Sequence, residues 1–118
     1  MDRRILILKK QILSNLQYQP TIEELAAKIN VSASYLQKLF KTETGISPIQ
    51  YLQNLRIEKA RELLENGFKR VKEIGCEVGF IDQSNFARDF RKIYGLTPSD
   101  YRKQHWAKLE AEETIDDK

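Results

Sequence analysis

The chain has 118 residues, enough for one domain with a modest core, and 31% of them are charged while only 9% are aromatic. The longest apolar run near the start, residues 5–8, is far too short to span a bilayer, and no signal-peptide pattern follows the basic first ten residues. The single cysteine, Cys76, excludes an internal disulfide and fits a reducing, cytoplasmic setting; the net charge of +3 resolves into −3 on residues 107–118 and +6 on residues 1–106, a basic body suited to a polyanion.

The periodicity predicts helices throughout and no strand. Residues 4–16 place Ile5, Leu8, Ile12 and Leu16 on one face. Thr21-Ile-Glu-Glu24 reads as a capping box that opens a short helix carrying Leu25, Ala26 and Ile29. Asn30 then stands where a sharp turn needs a residue tolerant of positive φ, and Ser32 caps the next helix, which runs to about Thr44. Gly45-Ile46-Ser47-Pro48 is a helix junction. The glycine closes one helix, the serine caps the next, and the proline occupies the first helical position, where its missing N–H costs nothing. With Gln50 completing a second capping box, a long helix follows from about residue 48 to 65. Its inner positions are read as Leu52, Leu55, Lys59 and Leu63, and Asn66-Gly67 ends it.

The chain then repeats itself. Val71, Glu73, Ile74 and Val78 match Ile22, Glu24, Leu25 and Ile29 at an offset of 49, with Gly79 at the turn position of Asn30. One extra residue near Ile81 shifts the offset to 50, at which Ser34/Ser84, Lys38/Arg88, Phe40/Phe90, Lys41/Arg91, Gly45/Gly95, Ser47/Thr97, Pro48/Pro98 and Tyr51/Tyr101 coincide. Asp82 caps the second copy's longer helix, and a last helix starts at Pro98 and runs past Trp106. Two copies are too few for a solenoid. They describe one unit used twice on a partner that is itself periodic.

Each unit is a short helix, a tight turn and a longer helix, the helix-turn-helix pattern. On a helical wheel Leu36, Leu39 and Phe40 face inward in the first unit, and Ser34, Gln37, Lys38 and Lys41 face outward. In the second unit Phe86, Phe90 and Ile93 form the inward stripe, with Ser84, Ala87, Arg88 and Arg91 outside and Asp89 turned towards a neighbour. Such outer faces suit the major groove. Glutamine pairs with adenine, and arginine or lysine with guanine, while Lys41 and Arg91 suit bases or phosphates. The alternative is an ordinary solvated bundle face, and matching basic faces on two repeated units weigh against it. The connecting helix would span about 27–30 Å, close to the repeat of about 34–36 Å between major grooves on one side of B-DNA.

These residues resemble the AraC/XylS family of bacterial transcription regulators, over residues 21–102. The strongest match is Ile74-Gly-Cys-Glu-Val-Gly-Phe80, then Gln83-Ser-Asn-Phe-Ala-Arg-Asp-Phe-Arg-Lys, then Gly95-Leu-Thr-Pro-Ser-Asp-Tyr-Arg102. The resemblance implies an all-α DNA-binding domain over residues 1–106, with about seven helices. It comprises a first helix-turn-helix subdomain (about 4–46), a linking helix (about 47–66) and a second subdomain (about 70–106), followed by an acidic tail at 107–118. It implies DNA contacts from Ser34, Gln37, Lys38 and Lys41, and from Gln83, Ser84, Asn85, Ala87 and Arg88; Gln83 and Asn85 come from the resemblance alone. Most members of the family also carry a separate effector-binding or dimerisation domain, which this chain lacks, so the chain reads either as a naturally short regulator or, the favoured expectation, as a piece of a longer one. Ser34 stands where relatives carry larger side chains, and Gly75 where alanine is common.

The expected function is sequence-specific binding of double-stranded DNA at an asymmetric promoter site by a transcription regulator, an activator, with recognition helices in successive major grooves. The alternative is a helical interaction module that contacts RNA polymerase or a regulatory partner. No enzyme is expected, since no phosphate loop, dinucleotide fingerprint or nucleophile elbow is present. No metal or cofactor is expected beside a lone His105, and no membrane. Cys76, at the position of Ala27, is expected as a small core residue. Trp106 is expected to pack the last helix, and Tyr51 and Tyr101 to anchor the helices after each junction.

Overall fold

The computed structural model describes residues 1–116, and every regular element among them is a helix. In chain order these are α1 (Arg3–Ser14), α2 (Ile22–Lys28), α3 (Ala33–Thr44), α4 (Pro48–Asn66), α5 (Val71–Glu77), α6 (Gln83–Tyr94) and α7 (Pro98–Asp116). The chain divides into two units, Met1–Arg56 and Ile57–Lys118, with the boundary inside α4.

In the first unit the helix starts follow their capping residues. Asp2 accepts from the Arg4 amide, Thr21 from the Glu24 amide and Ser32 from the Tyr35 amide. Each bond satisfies an amide that a helix N-terminus leaves without an intrahelical acceptor. Glu24 completes its box. The Tyr18 hydroxyl, with the Thr21 hydroxyl and amide, holds its carboxyl below the usual range. Asn30 takes the left-handed turn between α2 and α3 at φ 57°, and Gly45 closes α3 at φ 80°. Ser47 caps α4 through the Gln50 amide at 3.1 Å. The Gln50 side-chain N–H turns forward to Asn54 Oδ1 at 2.9 Å, so the second capping box gives way to a pair four residues apart on the helix. The core holds Ile5, Leu8 and Ile12 from α1, Leu16 just beyond it, Leu25 and Ala26 from α2, Leu36, Leu39 and Phe40 from α3, and Leu52 and Leu55 from α4. Phe40 meets Tyr51 edge-to-face at 5.2 Å.

One buried residue of this unit has no apolar signal. Arg56 is 3% exposed. Its Nε donates to the Leu16 carbonyl at 3.1 Å, its Nη2 to the Tyr18 carbonyl at 2.8 Å, and its Nη1 to Gln53 Oε1 at 3.2 Å. Burial holds the guanidinium below its ordinary pKa. The side chain thus fixes the segment that leaves α1.

The second unit repeats the plan. Asp82 caps α6 by accepting from the Ser84 and Asn85 amides, Gly79 takes the turn at φ 104°, and Gly95 closes α6 at φ 80°. Thr97 accepts from the Asp100 amide at 3.3 Å. Phe86 and Phe90 are buried with Ile74, Val78 and Phe80, and with Ile57, Ala60 and Leu64 of α4. The inner register of α4 therefore differs from the expected one. Ile57, Ala60 and Leu64 point inward, Lys59 lies outside and Leu63 is half-buried. Tyr101 repeats Tyr51 by meeting Phe90 edge-to-face at 5.4 Å. Its hydroxyl donates to Glu65 Oε2 at 2.7 Å; Tyr101 first, then Arg61, hold that carboxyl below the usual range. Arg102 donates to the Leu64 carbonyl at 3.1 Å and to the Lys69 carbonyl, fixing the end of α4 as Arg56 fixes the end of α1.

Two expected positions move. Ile93 is 45% exposed; the inward stripe of α6 continues four residues after Phe90, to Tyr94, whose ring lies 4.9 Å from that of Phe90. Cys76 is exposed, as is its counterpart Ala27, because the buried face of the short helix is one residue earlier, at Gly75 and Ala26. Trp106 packs as expected, 5.7 Å from Phe68 with the Arg102 guanidinium 5.2 Å over its ring. α7 continues through residues 107–112, whose side chains are exposed, so the described part of the acidic tail is helical.

Gly75 marks a close approach. A β-carbon there would lie 2.8 Å from Phe86 Cδ2 and 3.0 Å from the side-chain amide of Gln83. Alanine would gain about 1 kcal/mol in helix propensity. The Phe86 ring is 1% exposed and has no room to yield. We expect Gly75→Ala to lower the melting temperature; a rise would show that the helix-propensity gain outweighs the contact.

Candidate nucleic-acid interface

The second helix of each unit carries the candidate side chains. In α3, Leu36 and Phe40 hold the helix to its unit, and Ser34, Gln37, Lys38 and Lys41 are all exposed. In α6, Phe86 and Phe90 do the same, and Ser84, Asn85, Arg88 and Arg91 are exposed while Ala87 is half-buried. Ala87, Arg88, Arg91, Lys92 and Thr97 line one shallow groove, a basic rim around a methyl floor. That arrangement offers guanidinium and ammonium donors beside a small apolar contact, the combination suited to guanine edges, phosphates and a thymine methyl.

Two candidates are tied to protein neighbours. Gln83 is half-buried; its Nε2 donates to the Lys72 carbonyl at 3.2 Å and lies 3.7 Å from Cys76 Sγ. It bridges α6 to α5, and the same amide packs over Gly75. Arg88 Nε reaches Asp89 Oδ1 at 3.4 Å, so Asp89 turns to a neighbour as expected. An exposed pair of this kind holds its partners weakly and leaves the remaining guanidinium donors of Arg88 for an incoming acceptor.

One contact on the surface of α3 could not be read from the sequence, although Tyr35 itself differs from its counterpart Asn85. Tyr35, 43% exposed at the start of α3, accepts from Arg4 Nη2 at 3.0 Å, and the Arg4 guanidinium lies 5.1 Å from its ring centroid. Arg4 is in turn held by Asp2, at 3.2 Å from Nε and 3.1 Å from Nη2. The partners are 31 residues apart in sequence, which no local pattern reveals.

Among the described residues, no group of three His, Cys, Asp or Glu side chains could hold a metal ion, and no helix is long and apolar enough to cross a membrane.

Two helix-turn-helix units, each exposing a basic face on its second helix, define a class of small helical nucleic-acid readers. A family model described as "Helix-turn-helix domain" matches residues 25–104, and the chain belongs to this family, in its AraC-type branch. The lactose operon transcription activator of Staphylococcus xylosus is 35% identical over 91 residues, covering 77% of this chain and 33% of that protein. A transcriptional regulator of Chromobacterium violaceum, described as containing an AraC-type DNA-binding domain, superposes with a TM-score of 0.80 at 27% identity, over 86% of this chain and 91% of its own. The DNA-binding domain of the global transcriptional factor AdpA, solved in complex with a target DNA, superposes with a TM-score of 0.84 at 28% identity, over 91% and 96%. The chain spans about a third of the length of the curated relatives it matches.

Proposed function

We propose that this chain is the sequence-specific, double-stranded DNA-binding domain of a bacterial transcription activator, with α3 and α6 each entering a major groove, in succession along one duplex. The observation that carries the reading is the groove on α6, where Arg88, Arg91 and Lys92 surround Ala87. The likeness to a domain solved on its target DNA supports it. In this proposal Ser34, Gln37, Lys38 and Lys41, with Ser84, Asn85, Ala87, Arg88 and Arg91, face DNA. Gln83 serves the interface first by setting α6 against α5. The proposed DNA-binding domain is residues 1–106, with linking helix α4 shared by both units. The function is binding rather than catalysis, in the cytoplasm, and the further partner for activation is RNA polymerase.

Arg88→Ala is the direct test. The side chain is exposed and paired only across a weak surface contact, so its loss leaves the melting temperature within about 2 °C of wild type. Affinity for a duplex selected from a random pool is expected to fall about ten- to a hundredfold, the scale of one bidentate base contact, with relaxed preference at one position. Equal affinity of variant and wild type would remove Arg88 from the interface.

A further inference from the structure

We infer that Tyr35 is a phosphate-binding residue, aimed by Arg4 and Asp2; this rests on the DNA-binding reading of α3. The geometry is a relay of three side chains at the start of the first recognition helix. The Asp2 carboxylate grips the Arg4 guanidinium on two of its nitrogens, at 3.2 and 3.1 Å, and also caps α1 through the Arg4 amide at 2.8 Å. Arg4 Nη2 donates to the Tyr35 oxygen at 3.0 Å and lies against the ring. A phenol has one proton to donate and two lone pairs. Arg4 occupies a lone pair, so the Tyr35 O–H remains a donor, polarised by the cation behind it.

Position decides what that donor meets. Tyr35 adjoins Ser34, lies two residues before Gln37, and is 43% exposed. The N-terminal residues of a recognition helix are those that reach the groove, and tyrosine is among the side chains that bind phosphate oxygens. A ring fixed at the edge of the helix, with its donor at the tip, fits the backbone beside the groove rather than a base within it. The Arg4 charge is compensated by Asp2, so the contact is a hydrogen bond from a neutral group to an anion. In the second unit the matching position is Asn85, a shorter side chain, so the two units grip the backbone differently.

The test compares wild type with Tyr35→Phe on a selected duplex, on a random duplex, and on selected duplexes carrying a single methylphosphonate at each position in turn. Tyr35→Phe is expected to weaken binding to both duplexes by the same factor, about three- to tenfold. The slope of affinity against salt stays unchanged, because a neutral side chain displaces no counterion. One methylphosphonate position that costs the wild type affinity costs the variant nothing. Arg4→Met weakens the wild type similarly and adds nothing on top of Tyr35→Phe. A variant with wild-type affinity, a loss confined to one base position, or a full second loss from Arg4→Met would overturn the inference while leaving the DNA reading standing. A wild-type chain that binds no duplex overturns that reading and this inference with it.

Discussion

Phe90→Ala is expected to cost the second unit about 3–5 kcal/mol, the range for deleting a buried aromatic side chain. Phe90 is 0% exposed. Its ring lies 4.9 Å from Tyr94, 5.4 Å from Tyr101 and 6.1 Å from Phe86, so it joins α6 to the start of α7. Truncation opens a cavity bordered by three rings, and close-packed aromatic walls relax only partly into such a space. It also loosens the Tyr101 anchor that donates to Glu65. Trp106, the only tryptophan, sits in this unit and reports on it. Urea unfolding followed by its fluorescence should show the midpoint falling sharply in the variant. A loss below about 1 kcal/mol would mean that the ring cluster is not what holds α6 in place.

Arg56→Ala is expected to destabilise the first unit by about 2–4 kcal/mol, although no apolar core residue is touched. The guanidinium binds the Leu16 and Tyr18 carbonyls, which belong to the segment between α1 and α2. Removing it leaves the buried Leu16 carbonyl without its donor, at about 1–3 kcal/mol, loses the part-buried bond to the Tyr18 carbonyl, and strips the packing of the aliphatic stem. Arg56→Lys should recover little. An ammonium is a point donor and cannot span two carbonyls that the planar fork reaches together. Urea unfolding by circular dichroism, with hydrogen exchange at the α1 amides, measures the effect. Wild-type stability in Arg56→Ala would show that the segment is held without this residue.

Local chemistry made most of the fold legible. Helix starts at Thr21, Ser32, Ser47 and Asp82 were readable because a capping side chain needs only its own next three residues. Asn30, Gly45 and Gly95 were readable because few residues tolerate positive φ. The repeat made the second unit a check on the first. The misplacements are positions where local periodicity leaves a choice of one residue. Ile93 and Tyr94 are adjacent, and the structure chooses Tyr94 because a ring there meets both Phe90 and Tyr101. Gly75 and Cys76 are adjacent, and the tight contact with Phe86 selects glycine for the inside. Arg56 could not be read, since an arginine among charged neighbours on a long helix looks solvated until its distant carbonyl partners are known. The Asp2, Arg4 and Tyr35 relay was hidden for the same reason. The outer faces of α3 and α6 were legible as faces, because the buried phenylalanines fix their orientation, but Gln83 shows that a residue of the right type beside such a face can serve the protein instead.

The shared positions Phe40/Phe90, Gly45/Gly95 and Pro48/Pro98 carry one hydrophobic plan, and the divergent Gln37/Ala87 and Tyr35/Asn85 present different chemistry. On the proposed reading, one chain built this way would read two unlike half-sites. The most direct measurement is selection from a randomised duplex pool by the chain, with sequencing of the bound fraction and a salt titration of the winner. The account predicts an enriched, non-palindromic site whose affinity falls steeply as salt rises. A bound pool no different from the input, an affinity indifferent to salt, or a perfect inverted repeat held by one monomer would contradict it.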